Sequence, residues 1–361
     1  MKVKKYFQLM VEKNSSDLFL RAGGIAHARI DGKIQPIDQK PLTKEEIITI
    51  SDFLLANDRQ RDSFARNLDI DFIHVEDGLA RFRINIFMQR GTPSIVARYV
   101  KDKVVTFEEL NLPVDLCKQF CQEPRGLILV CGPAGSGKST TIASMIEYIN
   151  VNFQKHIVTV EDPIEFLFRD NKSLINQREL GLDVHSYPTA LRHVTQQSPD
   201  IIYIGTIRDT DTMRAAISAA ELGALVFSTF HTNNATQAVE RIVNFFPPHL
   251  HNEIRMQLSL LLKGVISLRL IPRKDGQGRI PAYETMVTTP TITRLIREGN
   301  IPQIQSFIDD GQLFGMQSFK QSLVGLVKQD LVNEEDARQL SDSRDEFNLE
   351  LRGIKRSTGL S

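Results

Sequence analysis

The sequence contains little cysteine, no excess of charge of either sign and no long apolar run. Its 361 residues include three cysteines, too few for a disulfide framework or a four-cysteine zinc site. Forty-four basic residues balance forty-four acidic ones, so the net charge gives no support to a protein that coats a polyanion. No apolar run approaches the roughly 18 residues that a membrane span needs. Together these absences predict a reduced, soluble protein of the cytoplasm.

What is present is enough apolar material for more than one domain. Hydrophobic residues make up 41% of the chain and charged residues 24%, which is typical of globular proteins. A length of about 150 residues per domain predicts two domains, or three. Short strand and helix patterns over residues 1–100 predict a small α+β domain. The pattern loosens over residues 101–112, a predicted linker, and residues 113–361 are predicted to form the second domain.

Local patterns in the first domain predict a hairpin and a capped helix. Two short strand patterns, Asp17 to Leu20 and His27 to Ile30, precede Asp31-Gly32, a dipeptide typical of a tight turn. Thr43, followed three residues later by Glu46, fits a capping box. It predicts a helix whose buried side carries Ile47, Ile48, Ile50, Phe53 and Leu54.

Two arginines share one face of a further predicted strand, Leu79 to Met88. Along this strand a two-residue period places Ala80, Phe82 and Ile84 on one face and Arg81, Arg83 and Asn85 on the other. The arginines are either surface cations with solvated charged ends, or groups that reach a nucleotide held by a neighbouring subunit. The residues alone leave both interpretations open.

The second predicted domain alternates short apolar runs with helical patterns, which indicates a parallel sheet covered on both faces. The predicted strands are Gly126 to Val130, Ile157 to Val160, Ile201 to Ile204 and Leu225 to Thr229. After about residue 250 the patterns predict helices, and the helix around Met256 to Leu262, with its leucines, is expected in the core. These helices are Glu253 to Leu262, Thr291 to Glu298, Gln317 to Gln329 and Glu334 to Gln339.

One run fits the G-x-x-x-x-G-K-[ST] pattern of a phosphate-binding loop, and it lies between a predicted buried strand and a predicted helix, as that loop requires. The run is Gly132-Pro133-Ala134-Gly135-Ser136-Gly137-Lys138-Ser139-Thr140. Its glycines let backbone N–H groups and the start of the helix face the phosphates. We therefore predict that the chain binds a nucleoside triphosphate. Lys138 is expected to reach the β- and γ-phosphates, and the Ser139 hydroxyl to ligate Mg²⁺.

Two further segments follow predicted strands and add candidates for chemistry. The acidic run Glu161-Asp162-Pro163-Ile164-Glu165 comes directly after one strand, where open α/β sheets bind ligands. Its alternative is a solvated acidic turn. His231 follows another strand and is a candidate sensor of the γ-phosphate, although a single histidine is more often structural.

These motifs resemble one family over nearly the whole chain. The chain resembles the PilT/PilU family of type IV pilus retraction ATPases, which are secretion-type ATPases, with details nearer the PilU branch. Extension and type II secretion relatives usually carry a paired-CxxC metal motif, whose absence here favours the retraction branch. The matching residues are Arg81-Phe82-Arg83-Ile84-Asn85, the 132–140 loop, the 161–165 run, Gln177-Arg178-Glu179, His231-Thr232 and Gly315-Met316-Gln317.

The resemblance implies a fold, a chemistry and an assembly. It implies an α/β architecture in which a PAS-like α+β domain precedes a RecA-like P-loop ATPase domain with a helical C-terminal part. It implies a homo-hexamer that binds ATP and Mg²⁺, with Arg81 and Arg83 completing a neighbour's site. The residues it implies for hydrolysis are Glu161, Asp162, Glu165 and His231.

The resemblance also implies a biological setting. The motor would lie in the cytoplasm at the face of the inner membrane and act on a platform protein there, retracting pili for twitching motility. A paralogous retraction ATPase is a second implied partner, and nucleic acid is not an expected one.

Three residues depart from the family pattern. Thr206 stands where the family has the glutamate of an atypical Walker B segment, Gln196 replaces a usual arginine, and Ala224 replaces the first histidine of the histidine box. Threonine cannot take a proton from water near neutral pH. Loss of a carboxylate that polarises water would cost roughly 10²–10⁴ in rate.

The departures leave two main hypotheses. One is a retraction motor with reduced ATP turnover. The other is a nucleotide-binding accessory subunit that hydrolyses little and couples to an active retraction ATPase. A RecA-like nucleic-acid motor is a weaker third, because the neutral chain lacks the interleaved aromatic and basic residues that bind single strands.

Overall fold

Two compact units make up the chain. The computed structural model describes residues 2–30, 32–100 and 104–354. One unit comprises Met1–Lys103 with Glu165–Leu167, and the other comprises Val104–Ile164 with Phe168–Ser361. Asp31 of the predicted turn and residues 101–103 of the predicted linker lie outside the described residues. Among the helices of the described part, none is long and apolar enough to cross a bilayer.

The first unit contains a six-stranded antiparallel sheet in the order β3-β2-β1-β6-β5-β4. Three helices accompany it. Its elements are α1 (Lys2–Glu12), β1 (Asp17–Arg21), β2 (His27–Ile30), β3 (Lys33–Pro36), α2 (Lys44–Leu54), α3 (Asp58–Asn67), β4 (Asp69–Glu76), β5 (Ala80–Gln89) and β6 (Thr92–Val100). The predicted alternation of β5 is confirmed for its apolar face, because Phe82, Ile84 and Ile86 are fully buried.

The capping box at the start of α2 is confirmed. The Thr43 hydroxyl accepts a hydrogen bond from the Glu46 N–H at 3.2 Å, and the Glu46 carboxylate accepts one from the Thr43 N–H at 2.9 Å. The predicted buried side is too wide, however, since Ile48 and Phe53 are 38% and 37% exposed. One face of a helix repeats every three to four residues, so the buried side is limited to Ile47, Ile50 and Leu54.

The second unit contains a seven-stranded sheet in the order β13-β12-β7-β11-β10-β8-β9. All neighbouring strands are parallel except the edge pair β12 and β13. Its strands are β7 (Gly126–Cys131), β8 (His156–Glu161), β9 (Leu174–Glu179), β10 (Ile201–Ile204), β11 (Leu225–Phe230), β12 (Leu262–Pro272) and β13 (Arg279–Val287). Its helices are α4 (Val114–Cys121), α5 (Lys138–Asn152), α6 (Tyr187–Val194), α7 (Thr210–Glu221), α8 (Ala235–Asn244), α9 (His251–Leu261), α10 (Pro290–Glu298), α11 (Ile304–Asp309), α12 (Phe319–Lys328), α13 (Glu334–Leu340) and α14 (Arg344–Leu351).

Both faces of this sheet are covered, as the sequence predicts. Every residue of β7, β10 and β11 is buried. Successive residues of β7 alternate between two apolar cores: Leu127 and Leu129 belong to one, and Ile128 and Val130 to the other. The four predicted strands are therefore confirmed as central members of a parallel sheet.

The prediction of an all-helical segment after residue 250 is wrong. β12 and β13 form a long antiparallel pair there, and β12 also pairs with β7. The apolar run of β12 continues directly from α9, so local periodicity gives no boundary, and the strand state depends on pairing with residues far away in sequence. Met256 and Leu260, predicted in the core, are 47% and 60% exposed.

Gly264 of β12 gives a test of the packing beneath the sheet. A β-carbon there would lie 2.0 Å from Phe120 Cζ and 2.9 Å from the Met286 carbonyl oxygen. Gly264→Ala is therefore expected to lower the free energy of unfolding by about 1–3 kcal/mol. Urea unfolding measures the change. In the control Gly325→Ala, in α12, the new methyl group meets nothing within 4 Å, and a gain of about 0.5–1 kcal/mol is expected. Equal effects of the two substitutions would contradict this packing.

Candidate functional site

The candidate site lies where four neighbouring parallel strands of the second unit end. In sheet order these strands are β7, β11, β10 and β8. At about 4.8 Å between strands, the row of their carboxyl ends spans about 14 Å. The 132–140 loop follows β7, His231 follows β11, Gly205-Thr206 follows β10, and Glu161 ends β8. The parallel register thus brings residues from four distant parts of the sequence to one edge.

The loop after β7 can be built only with glycine at its first position. Gly132 has φ +142°, and a β-carbon on it would lie 2.5 Å from both the Leu268 carbonyl oxygen and Ser136 Oγ. Gly135 has φ +73°, a left-handed conformation that also favours glycine. α5 then begins at Lys138, and the preceding Gly137 supplies no side-chain cap. The positive end of the α5 dipole therefore lies at this loop.

Lys138 lies along this loop and is only 7% exposed. Its ammonium group donates hydrogen bonds to the carbonyl oxygens of Gly132 at 3.0 Å and Pro133 at 2.8 Å. Ser136 Oγ is buried and has no hydrogen-bond partner within the described part of the chain. A cradle that a β-carbon would fill, a buried ammonium group and an unsatisfied hydroxyl fit a polyphosphate. Ser139, in the first turn of α5, is partly exposed.

Glu161 is buried at the end of β8, with 4% of its surface exposed. Its Oε1 accepts hydrogen bonds from Thr159 Oγ1 at 2.7 Å and Gln177 Nε2 at 3.3 Å. A solvated acidic turn therefore does not describe Glu161, whereas Asp162 is exposed. Glu165 belongs to the stretch that groups with the first unit and is exposed.

Arg81 and Arg83 also belong to the first unit, on β5. Arg81 is 7% exposed, so a solvated surface cation is the wrong description of it. The Arg83 guanidinium donates from Nε to both carboxylate oxygens of Asp71, at 2.9 and 3.1 Å, across the β4–β5 pair. The sequence pattern predicts their shared face but neither the burial of Arg81 nor the partner of Arg83.

Only one of the three departures from the family pattern lies in the row of strand ends. Thr206 is the second residue after β10 and is buried. Gln196 precedes the amino end of β10, and Ala224 precedes the amino end of β11. Both therefore lie at the amino ends of the parallel strands, opposite the carboxyl ends that form the candidate site. A missing side chain at either of these two positions does not remove a group from the candidate site.

The imidazole of His231 is surrounded by positive charge. Desolvation is the largest cause that lowers its pKa, and the charges of Lys138, Arg208 and Arg241 lower it further. The ring is therefore neutral at pH 7. Arg241 also donates a hydrogen bond to the His231 carbonyl oxygen at 2.6 Å, which fixes the backbone where β11 ends.

Two charged side chains that the sequence analysis missed hold the segment after His231. Arg269 of β12 is 8% exposed, stacks on Phe319 with its guanidinium 3.9 Å from the ring centroid, and donates to the Asn233 carbonyl oxygen at 3.4 Å. Glu284 of β13 is 2% exposed and accepts a hydrogen bond from the Ala235 N–H, at the start of α8, at 2.9 Å. In the sequence, each of these two residues can be recognised as a single charged residue within an otherwise apolar run.

Comparison with known proteins gives matches that cover almost the whole chain. The profile of the family "Type II/IV secretion system protein" matches residues 2–313. The type IV pilus ATPase PilU of Pseudomonas aeruginosa is 38% identical over 353 residues, covering 97% of this chain and 91% of PilU. The retraction ATPase PilT of the same organism is 40% identical over 347 residues, covering 96% of this chain and 100% of PilT.

A solved structure supports the same relationship. The crystal structure of the pilus retraction motor PilT with bound ADP has a TM-score of 0.88 and 39% identity to this chain, and the match covers 96% of this chain and 98% of PilT. The expected α/β fold class and the resemblance drawn from the motifs are both confirmed by these matches.

Glu284 predicts a measurable pH dependence of stability. Burial raises its pKa from 4.5 to about 7, although hydrogen bonds from Ala235 and Gln305 and the charge of Arg269 oppose the shift. The folded protein therefore keeps this proton when the unfolded chain has lost it, so the free energy of unfolding falls as pH rises from about 4.5 to about 7. Glu284→Gln cannot ionise and should not lose stability in this way. Between pH 5 and pH 8, the free energy of unfolding of the variant relative to that of the wild type is therefore expected to rise by about 2–3 kcal/mol.

Urea unfolding of both proteins at the two pH values measures this difference. Glu253→Gln, at an exposed position in the first turn of α9, removes the same charge and is the matched control. An equal pH dependence in the two variants would show that burial of Glu284 is not the cause.

Proposed function

Because this chain belongs to the type II/IV secretion system protein family, and within it to the PilT/PilU type IV pilus ATPases, we propose that it is an ATP-binding motor protein of pilus retraction. In this proposal it hydrolyses ATP slowly and drives twitching motility. The nucleotide-binding part of the proposal rests on residues described above, and the biological part rests on the relatives.

The tight 132–140 loop, with the Lys138 ammonium group lying across it, is the main support for nucleotide binding. Gly132 has no room for a β-carbon, the Lys138 ammonium group lies across the loop, and the start of α5 faces the same space. A buried ammonium group and the positive end of the α5 dipole are electrostatically suited to a triphosphate. Lys138 would exchange its two carbonyl partners for phosphate oxygens when nucleotide binds.

The remaining residues of the site are assigned by chemistry. Ser139 would hold Mg²⁺ together with phosphate oxygens, and this ion would neutralise charge on the phosphates. The described residues include no group of three or more histidine, cysteine or acidic side chains that could hold a metal alone, which agrees with a metal that arrives with the nucleotide. Glu161 is proposed to accept a proton from water, and neutral His231 to hydrogen-bond a γ-phosphate oxygen.

The proposal extends to assembly and place in the cell. Residues 1–100 would be a PAS-like domain, 101–112 a linker and 113–361 a RecA-like ATPase domain. Six copies would form a ring, in which Arg81 and Arg83 complete a neighbour's nucleotide site, while Asp162 and Glu165 act near the magnesium ion and the attacking water. The ring would lie in the cytoplasm against an inner-membrane platform protein.

A second function is favoured by one observation, the threonine at position 206. The row of strand ends lacks a carboxylate after β10, and a subunit that binds ATP but hydrolyses little would act by docking onto an active retraction ATPase. Gln196 and Ala224 add nothing to this alternative at the site itself, since both lie at the opposite edge of the sheet.

Two sets of variants separate binding from turnover. Lys138→Ala is expected to abolish ATP binding in calorimetry, because it removes the ammonium group from the cradle, while the exposed Lys172→Ala should bind normally.

The double variant Arg81→Gln, Arg83→Gln is expected to bind ATP as isolated subunits yet to release phosphate more slowly, by about 10³-fold if the arginines act across a subunit interface. Its matched control is Arg66→Gln, at an exposed position of α3.

Unchanged ATP affinity in Lys138→Ala would contradict the assignment of the loop. Loss of affinity in isolated subunits of the arginine double variant would instead place Arg81 and Arg83 at the nucleotide of their own chain.

Thr206→Glu tests the motor against the accessory subunit. The substitution supplies a carboxylate at the end of β10, so phosphate release by the pure protein is expected to rise at least tenfold over a slow but measurable wild-type rate. The control is Thr206→Gln, which introduces a side chain of nearly the same size as glutamate but without its charge. The accessory function would be favoured if the wild-type protein and the Thr206→Glu variant both bound ATP but neither released phosphate.

A further inference from the structure

Two buried hydroxyl groups lie without hydrogen-bond partners near the end of β10. Tyr187, the first residue of α6, is 9% exposed, and Thr206 is 7% exposed. Neither Tyr187 Oη nor Thr206 Oγ1 has a hydrogen-bond partner among the residues that the structure describes. A buried hydroxyl left unpaired is costly, so such groups usually mark a place that a ligand or an ordered water completes.

The Tyr187 hydroxyl lies against the strand ends that form the candidate site. Its oxygen is 3.0 Å from the position that a β-carbon on Gly205 would take, and that position is itself 3.1 Å from Glu161 Cα. Gly205 directly precedes Thr206, and its N–H donates to the Val160 carbonyl oxygen at 2.8 Å. The hydroxyl of Tyr187 therefore sits between the ends of β8 and β10.

The surroundings of this hydroxyl keep it a hydrogen-bond donor. Burial raises the pKa of Tyr187 most, and the carboxylates of Asp162 and Glu161 raise it further, whereas the charge of Arg208 and the nearby backbone of Thr206, which is not within hydrogen-bonding geometry, oppose the shift. The phenol is therefore protonated throughout the physiological range. Nearby carboxylates also disfavour a phosphate oxygen at this point and favour a neutral molecule that can donate to them, such as water.

We propose that Tyr187 and Thr206 together hold the water molecule that attacks the γ-phosphate in this chain, an inference that rests on the proposed ATP-binding function. Tyr187 Oη donates a hydrogen bond to the water oxygen, and the water donates one hydrogen bond to Thr206 Oγ1 and the other to the Glu161 carboxylate. One lone pair of the water oxygen is then left to attack. In the hydrolysis step, the water oxygen forms a bond to the γ-phosphorus. The bond between the γ-phosphorus and the oxygen that bridges the β- and γ-phosphates breaks, and ADP leaves with that oxygen. The water proton passes to Glu161 and from there to solvent.

This arrangement makes Thr206 a part of the catalytic machinery, where the sequence alone indicates only a loss. A threonine hydroxyl cannot take the proton, but it can orient the water for a carboxylate on the neighbouring strand. Glu161 suits that task because Thr159 and Gln177 fix its Oε1. Hydrolysis would then be slow, because two neutral hydrogen bonds orient the water more weakly than a charged group does.

The first arm of the test is a crystal structure of the full chain with a non-hydrolysable ATP analogue and Mg²⁺. We expect an ordered water within hydrogen-bonding distance of both Tyr187 Oη and Thr206 Oγ1. A structure in which the two hydroxyls bond to each other, or to protein groups only, would overturn the proposal whether or not the protein hydrolyses ATP.

The second arm is a double-mutant cycle on phosphate release. Tyr187→Phe and Thr206→Val are each expected to lower kcat roughly fivefold to tenfold, the effect of losing one neutral hydrogen bond, with KM for ATP within twofold. The double variant is expected to be slowed by less than the product of the two single effects, because both hydroxyl groups bind the same water. Thr206→Ser keeps a hydroxyl group at this position, so its kcat is expected to lie above that of Thr206→Val.

Tyr148→Phe is the control for this arm, since Tyr148 lies late in α5 and packs against Phe107 and Phe153. Multiplicative effects of the two substitutions, or a change in KM without one in kcat, would contradict a shared water. A wild-type protein that binds no ATP would defeat the proposed function, whereas an ordered water with unchanged kcat in Tyr187→Phe would defeat this inference alone.

Discussion

Full pairing and burial of the central strands is the constraint on which the candidate site depends. β7, β10 and β11 are buried along their whole length, so their backbone groups bond to neighbouring strands and their side chains fill two apolar cores. Polar side chains that bind a ligand can therefore stand only where these strands stop. Because the strands are parallel, they stop together, and a lysine, an imidazole, a threonine and a carboxylate from distant segments fall into one row.

A second layer of charged residues fixes the backbone of that row. Arg241 bonds to the carbonyl oxygen of His231, Arg269 to that of Asn233, and Glu284 to the N–H of Ala235. Arg269 also bonds to the Leu340 carbonyl oxygen at 2.9 Å. The segment after β11 is thus held from β12, β13 and the end of α13. Through Arg269, the end of α13 is thus connected to the backbone two residues after His231.

The sequence predicts the parts of this arrangement that follow from local rules. The glycine pattern of residues 132–140, the four apolar strands and the capping box at Thr43 each depend on short-range sterics or periodicity, and the structure has all of them. The pairing of β12 and β13 could not be predicted, because it depends on partners far away in the chain. Burial and register likewise decide that Gln196 and Ala224 lie away from the site while Tyr187 lies beside it, and no spacing in the sequence carries that information.

The central claim is that the loop after β7 grips the phosphates of a nucleotide at the carboxyl edge of the sheet. Hydrogen–deuterium exchange of the full chain, with and without saturating ATP and Mg²⁺, tests it most directly, since it reports on each backbone segment. We expect strong protection of amides in residues 132–140 and at the start of α5, with weaker protection after β8 and β11. Protection confined to other segments, with exchange of the 132–140 loop unchanged, would contradict it.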